Sequence, residues 1–385
     1  MSRPRQARRQ SPSDSGSKRR VKLLHFADLH LDTPFAWAPA AIASRRRQAI
    51  REILLAIWQL ARERQVDALL CGGDLYEQER FIPDTREFLV STFASMHPIP
   101  VLIAPGNHDW LAPSSIYATA KWSANVHVFG NDRLEPYELG PGVTIWGAAH
   151  RAPVNTEDFL RDFHARREGL NIGLFHASER SGLPLQPNGK EPHAPFSAYE
   201  IAGAGLDHAL LGHYHAPIDG PDYTYPGNPE PLAFGETGER GVVLVDIGDD
   251  GAITRERVRV SHTVLEDVRV DVSGASSSQD VLDRVAAALA GHKGIARVSL
   301  SGDVAPSLSL DSGVLQQAAS DLQFVQFLTE AVRPAYDVDV IAEEKTVRGQ
   351  FVRDVLNTPL DDVERRRVLV TGLRALEGRN DLEVA

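Results

Sequence analysis

"VLIAPGNHDW" occupies residues 101–110. An apolar run suited to a buried strand stops at Pro105 and Gly106 and is followed by Asn107, His108 and Asp109. A turn needs Gly, Asn or Asp, but it has no use for an imidazole. The same pattern recurs along the chain. "VKLLHFADLH" (21–30) ends in Asp28 and His30, and "VDALLCGGD" (66–74) ends in Asp74. "NIGLFH" (171–176) ends in His176, and "DHALLGHYH" (207–215) ends in His213 and His215. Between the first runs, residues 43–65 place Ile50, Ile53, Leu54, Ile57 and Ala61 on one helical face. A second helix is expected over 86–96. Strand–helix–strand–helix–strand predicts an α/β core with parallel strands. The shorter runs 126–129, 143–147 and 241–247 have fewer helices between them, which predicts more mixed strand directions.

In open α/β sheets the carboxyl ends of the strands line one crevice. That rule gathers two carboxylates, one amide carbonyl and several imidazoles around a single hollow. Each motif alone is weak: Gly-Gly-Asp is ordinarily a turn, and a lone His after a strand is more often a packed residue than a ligand. Together they are hard to explain structurally, because burying many ionisable groups costs several kcal/mol unless something compensates them. Divalent cations do. Oxygen and nitrogen donors without thiolate favour Mn²⁺, with Fe or Zn also compatible. The donors exceed what one ion needs, which points to two ions sharing a bridging Asp. Two ions about 3.5–4 Å apart form the clamp for in-line phosphoryl displacement.

Asp28-x-His30, Gly73-Asp74, Gly106-Asn107-His108-Asp109, His176 and Gly212-His213-Tyr214-His215 resemble, in order, the five motifs of the calcineurin-like metallophosphoesterases. The resemblance covers residues 21–250. "KLLHFADLHLDTPF" and "YPGNPEPLAFGETGERGVVLVDI" are most similar to the bacterial DNA-repair exonuclease branch that includes SbcD and YhaO, and "TVRGQFVRDVL" (346–356) is more loosely similar. The resemblance implies an α/β/β/α sandwich with a small C-terminal α/β cap, and a DNA exonuclease that hydrolyses phosphodiesters with hydroxide held between two metal ions. Asp28, His30 and His215 would hold one ion, Asn107, His176 and His213 the other, and Asp74 both. His108 would protonate the leaving oxygen or stabilise its charge, and Asp109 would orient an imidazole. The implied partners are DNA, an SMC-like ATPase of the SbcC type and a second copy of the chain. Hydrolysis of small phosphodiesters or nucleotides is the alternative activity, and a scaffold for the ATPase a third reading. The chain departs from the branch at Glu77, where some repair nucleases have His, and at Gly227-Asn228, where Gly-Ser or Gly-Thr is common.

Charge gives an independent argument. Two divalent ions and two carboxylates sum to +2, which complements the −2 transition state of a phosphodiester attacked by hydroxide. The phosphoprotein phosphatases of the superfamily carry Asp-Arg-Gly after Gly-Asp; this chain has "DLYEQER" (74–80).

The 385 residues exceed one average domain. Residues 21–262 are expected to form the catalytic domain. A small α/β unit is expected over 263–385, with strands at 265–272 and 296–302 around a helix at 279–291. Residues 1–20 carry seven Arg and Lys against Asp14, a net +6, and have the composition of a disordered tail. The rest of the −11 chain is therefore −17, unlike a protein that simply coats DNA. Cys71 is the single cysteine, so internal disulfides and Cys-rich zinc sites are excluded. No apolar run reaches the ~18 residues needed to span a bilayer, and a cytoplasmic protein is expected. Cys71, His25 and His150 read as packing residues. Lys190 and His193, in the long Pro/Gly-rich loop 178–196, are candidates to touch phosphate.

Overall fold

The computed structural model describes residues 20–378 except 141, 166–167, 186–191, 249, 309 and 320. Residues 1–19 of the expected tail, and Lys190, lie outside the described residues. The chain divides into two compact units, one running to His262 and one beginning at Thr263.

The first unit contains β1 (Val21–Phe26), α1 (Ala40–Glu63), β2 (Ala68–Cys71), α2 (Pro83–Ser95), β3 (Val101–Ile103), α3 (Ile116–Thr119), β4 (Val126–Val128), β5 (Glu135–Gly140), β6 (Val143–Gly147) and β7 (Leu170–His176). It continues with α4 (Tyr199–Gly203), β8 (His208–Gly212), β9 (Ile218–Asp219), β10 (Tyr223–Tyr225), β11 (Gly241–Ile247) and β12 (Ile253–Arg259). One sheet has the order β12-β11-β1-β2-β3-β4, the other β5-β6-β7-β8-β10-β9. β1 to β4 run parallel, as do β6, β7 and β8.

Side-chain alternation along β1 explains the layering. Leu24 and Phe26 join Ile50, Ile53 and Ile57 of α1 in one core. Leu23 faces the opposite way and packs with Leu70, Leu102 and Val243 of its own sheet and Ile145, Ile172, Leu174 and Leu210 of the other. The two sheets are thus stacked face to face. The outer side of the second sheet buries Trp146, Phe175 and Leu211 against Ile201 of α4. The result is the expected α/β/β/α sandwich. Removing one of the side chains between the sheets, as in Leu70→Ala, should cost about 2–5 kcal/mol. β12 has no place among the expected strands because its "ITRERVR" is largely exposed and charged, as befits a sheet edge.

The second unit contains β13 (Leu265–Asp271), α5 (Ser278–Leu289), β14 (Ile295–Val304), α6 (Ser312–Gln317), β15 (Phe324–Pro334), α7 (Val338–Ala342), α8 (Val347–Leu356) and α9 (Asp362–Leu376). Its three strands are parallel and bury Val270, Val298 and Leu300 against Val281 and Val285 of α5. The unit has its own core, and the terminal helices form a further small cluster around Val352 and Leu373. No helix among the described residues is long and apolar enough to cross a membrane.

Candidate metal centre

The carboxyl ends of β1, β2 and β3 in one sheet and of β7 and β8 in the other meet over the inter-sheet core. Main-chain hydrogen bonds tie the loops together: Asp28 N donates to Gly73 O (3.0 Å) and His30 N to Asp74 O (2.9 Å). The approach is close enough to exclude side chains at two points. A Cβ on Gly106 would stand 2.3 Å from Asp74 Oδ1, and one on Gly212 would stand 2.1 Å from Gly72 O. Asp28, His30, Asp74 and His213 adopt φ of 54°, 51°, 51° and 114°, a region non-glycine residues rarely occupy. Such strain collects at functional sites and persists only when the surroundings enforce it.

Asp74 is central. Its Oδ2 lies 3.6 Å from His30 Nε2 and 3.3 Å from His176 Nε2, and its Oδ1 accepts from His108 N at 2.8 Å. Donor atoms of Asp28, His30 and His215 converge within 4.8 Å, as do those of Asp28, Asp74 and His176. His176 Nε2 is also 3.0 Å from Asn107 Oδ1, and its Nδ1 donates to Gly72 O at 2.9 Å. The His213 ring packs 5.2 Å from that of His176, while its main-chain N donates to the Asp28 carboxylate. A third convergent trio is His30, Glu77 and His108. The structure therefore gathers all seven residues expected to be ligands, although His213 belongs to none of the three trios.

The pocket fits divalent cations. His30 is buried, and its Nδ1 donates to Glu77 Oε1 at 2.8 Å. That leaves the lone pair on Nε2, a buried atom with no hydrogen-bond partner among the described residues. An unsatisfied buried nitrogen is costly, and a cation beside Asp74 would satisfy it. Proton affinities follow the same geometry. Burial opposes ionisation at Asp74 and His176, but their mutual attraction wins, holding Asp74 well below the carboxylate range and raising His176 to about 9. Burial raises Asp28. Desolvation pushes His213 well below its ordinary value, with the nearby His176 charge acting the same way.

His108 differs from these seven residues. Its side chain is 42% exposed, and its Nδ1 is 3.0 Å from Glu77 Oε2. Glu77 thus grips His30 with one oxygen and His108 with the other. Burial resists its ionisation, but hydrogen bonds from His108 and His30 dominate and lower it.

Asp109 corrects the expectation that it orients an imidazole. Its buried carboxylate accepts from Gly106 N (2.6 Å), Leu75 N (2.7 Å), Asp74 N (3.1 Å) and Tyr117 Oη (2.5 Å). It staples the β2 and β3 loops through their amides. The imidazole-orienting carboxylates are Glu77 and Glu236, the latter 2.6 Å from His215 Nδ1. The sequence marked Glu77 only as a departure, and Glu236 lies in a Gly-rich loop where an acid ordinarily reads as solvated.

Other histidines sort as packing residues or neighbours. His150 is fully buried between the His176 carbonyl (2.7 Å) and Thr156 Oγ1 (2.7 Å), with burial lowering it to about 3. His25 is buried between the sheets, where desolvation likewise keeps it neutral. The His193 ring stacks edge-on to His213 at 5.3 Å.

A two-sheet sandwich with oxygen and imidazole donors at its converging strand ends defines a metal-dependent phosphoesterase. Residues 21–217 match the family described as calcineurin-like phosphoesterase, and the chain belongs to it. Metallophosphoesterase YhaO of Bacillus subtilis is 27% identical over 271 residues, which are 67% of this chain and 64% of that protein. The DNA double-strand break repair protein Mre11 of Methanopyrus kandleri is 26% identical over 297 residues, 69% of this chain and 62% of that protein. The chain thus spans less than two thirds of either relative. Among solved structures, TT1561 of Thermus thermophilus overlays at TM-score 0.35 and 14% identity, covering 62% of this chain and 99% of that one. Calcineurin-like phosphoesterase YfkN of B. subtilis overlays at 0.35 and 12%, covering 63% and 91%.

Proposed function

We propose that this chain is a dinuclear phosphodiesterase that hydrolyses DNA from its ends, with Mn²⁺ as the working metal. The supporting observation is the placement of Asp74 Oδ2 between His30 Nε2 and His176 Nε2. One carboxylate so placed would serve two ions, with Asp28, His30 and His215 holding one and Asn107, His176 and His213 the other. When bound, the two ions supply Lewis-acid charge at phosphoryl oxygens and a nucleophile at neutral pH. The protein's own part is positioning and proton transfer. Asp109 fixes the loops that carry Asp74 and Asn107. With Nδ1 of His108 held by Glu77, Nε2 is the atom that delivers a proton to the departing oxygen. A DNA substrate is favoured by the likeness to a protein named for double-strand break repair. An SMC-like ATPase partner, a homodimer and a cytoplasmic setting belong to the same reading.

Small phosphodiesters are the second reading, favoured by the −17 charge outside the tail, which opposes a polyanion. The deciding experiment restores Mn²⁺ or Mg²⁺ separately to metal-stripped protein and supplies end-labelled linear duplex DNA and bis-p-nitrophenyl phosphate. Mn²⁺-dependent shortening of the duplex is expected. Cleavage of the small ester alone selects the second reading, and cleavage of neither overturns both.

A further inference from the structure

Glu236 lies in the loop between β10 and β11, with its side chain only 16% exposed. Its two oxygens serve different partners. Oε1 faces His215 Nδ1 at 2.6 Å. Oε2 accepts from the Asn228 side-chain amide (2.6 Å), Leu232 N (2.6 Å) and Ala233 N (3.4 Å). Asn228 and Arg240 are buried, and the Arg240 guanidinium donates both to Asn228 Oδ1 and to the main-chain carbonyl of His215. The side chain and main chain of His215 are therefore held by one closed network. Asn228 is the residue that departs from the Gly-Ser or Gly-Thr of the resembled branch.

We propose that Glu236 is a positioning residue that makes His215 a metal ligand by dictating its tautomer; this rests on reading His215 as a ligand beside Asp28 and His30. A carboxylate can only accept, so His215 Nδ1 must carry hydrogen, and in the neutral ring Nε2 then holds the lone pair. An imidazole that ligates through Nε2 needs that arrangement. The reverse tautomer sets a lone pair against the carboxylate and a hydrogen where the cation belongs. The carboxylate cannot turn away, because three N–H donors hold its other oxygen.

The same asymmetry designs the test. Glu236→Gln has one acceptor oxygen for two sets of donors. Three donors on the loop side claim it, and the amide NH₂ is turned to His215. His215 must then accept at Nδ1 and carry hydrogen on Nε2. Full-length, metal-stripped protein is titrated with Mn²⁺ by calorimetry and by electron paramagnetic resonance. Wild type should take up two ions. E236Q should bind one of them about 10–100-fold more weakly and leave the other unchanged, in a metal-free protein that still melts cooperatively.

A second readout needs no metal: ¹⁵N resonances of the His215 ring at alkaline pH report which nitrogen carries hydrogen. Nδ1–H is expected in wild type and Nε2–H in E236Q. A wild-type ring with hydrogen on Nε2 overturns the proposal even if E236Q fails to fold. So does an E236Q protein that keeps Nδ1–H and binds both ions as wild type does. If wild type takes up no Mn²⁺, the metal reading of the site falls, and the wild-type tautomer still decides the role of Glu236.

Discussion

Asp74 Oδ2 stands 3.3 Å from His176 Nε2, so in the metal-free protein a proton occupies the atom where a cation would bind. His176 has its affinity raised from 6.5 to about 9, with Asp74 overcoming the cost of burial. Its folded value exceeds the unfolded one, so the protonated ring adds stability that is complete below pH 6.5 and lost as pH rises through about 9. Loading the site near neutral pH should displace that proton. Mn²⁺ calorimetry in buffers of different ionisation heat should show net proton release at neutral pH, with the part due to His176 lost as pH rises through about 9. Buffer-independent heats at neutral pH would sink this assignment.

The bridging role of Asp74 predicts unequal outcomes for two substitutions. Asp74→Ala should lose both ions together, because it removes the carboxylate oxygen that lies 3.6 Å from His30 Nε2 and 3.3 Å from His176 Nε2. Asn107→Ala should mainly weaken one ion, since Asn107 Oδ1 lies 3.0 Å from His176 Nε2. Elemental analysis after desalting checks the pair. A D74A protein carrying full metal content contradicts the two-ion assignment.

Glu77 predicts a double phenotype. A Gln offers one acceptor oxygen to two imidazole N–H groups, His30 Nδ1 at 2.8 Å and His108 Nδ1 at 3.0 Å in the native structure. Glu77→Gln should therefore weaken metal binding about 10-fold or more and also slow turnover. His108→Gln should retain both ions and lose about 10²–10⁴ in turnover. The His108 loss should be smaller for esters of p-nitrophenol, whose leaving group needs no proton. Equal losses on all esters would assign His108 to structure.

The converging residues were legible because each follows an apolar strand whose periodicity stops abruptly, and strand ends of an α/β sandwich have only one place to converge. Glu77 and Glu236 were not legible as positioning groups. Both meet their imidazoles across long stretches of sequence, Glu77 reaching His30 and His108 from 47 and 31 residues away and Glu236 reaching His215 from 21. Asp109 was misassigned for a related reason. Its neighbour His108 turns outward to 42% side-chain exposure, whereas Asp109 turns inward to the amides of a loop 34 residues away. The +2 charge count is also incomplete, since the carboxylates of Glu77 and Glu236 adjoin the ligand imidazoles. Their field would offset part of the charge of bound cations. In the second unit, β14 was legible from its apolar alternation, while α7 and α8 are short helices with few buried residues.

Asp109 should be a stability determinant. Asp109→Asn keeps the size but replaces an acceptor oxygen with a donor NH₂ facing buried amides and Tyr117. An unsatisfied buried donor costs about 1–3 kcal/mol. Burial, reinforced by the Asp74 charge, raises Asp109 from 3.8 to about 6. Because the folded value is the higher one, keeping this carboxylate ionised costs stability progressively as pH rises from 3.8 to about 6. The D109N penalty should therefore be largest near pH 4 and smaller above about pH 6. Urea melts of metal-free protein across that range check it, and a penalty that grows with pH would contradict the inverted sign.

The second unit should select the polymer and not perform the chemistry. The trios of converging donors, and His108, all lie in the first unit, which ends at His262. The second unit has its own three-stranded sheet and core. A small ester needs only the metal centre and His108. A duplex must be held over many phosphates, which sequence-independent backbone contacts accomplish. Removing the chain from Thr263 onward should leave hydrolysis of bis-p-nitrophenyl phosphate within about tenfold, a barrier change under ~1.4 kcal/mol. The same truncation should nearly abolish digestion of linear duplex DNA by the protein. Circular dichroism and Mn²⁺ uptake establish that the truncated protein is folded and loaded. If it is, and it still degrades duplex at the full-length rate, the second unit is not the element that positions DNA.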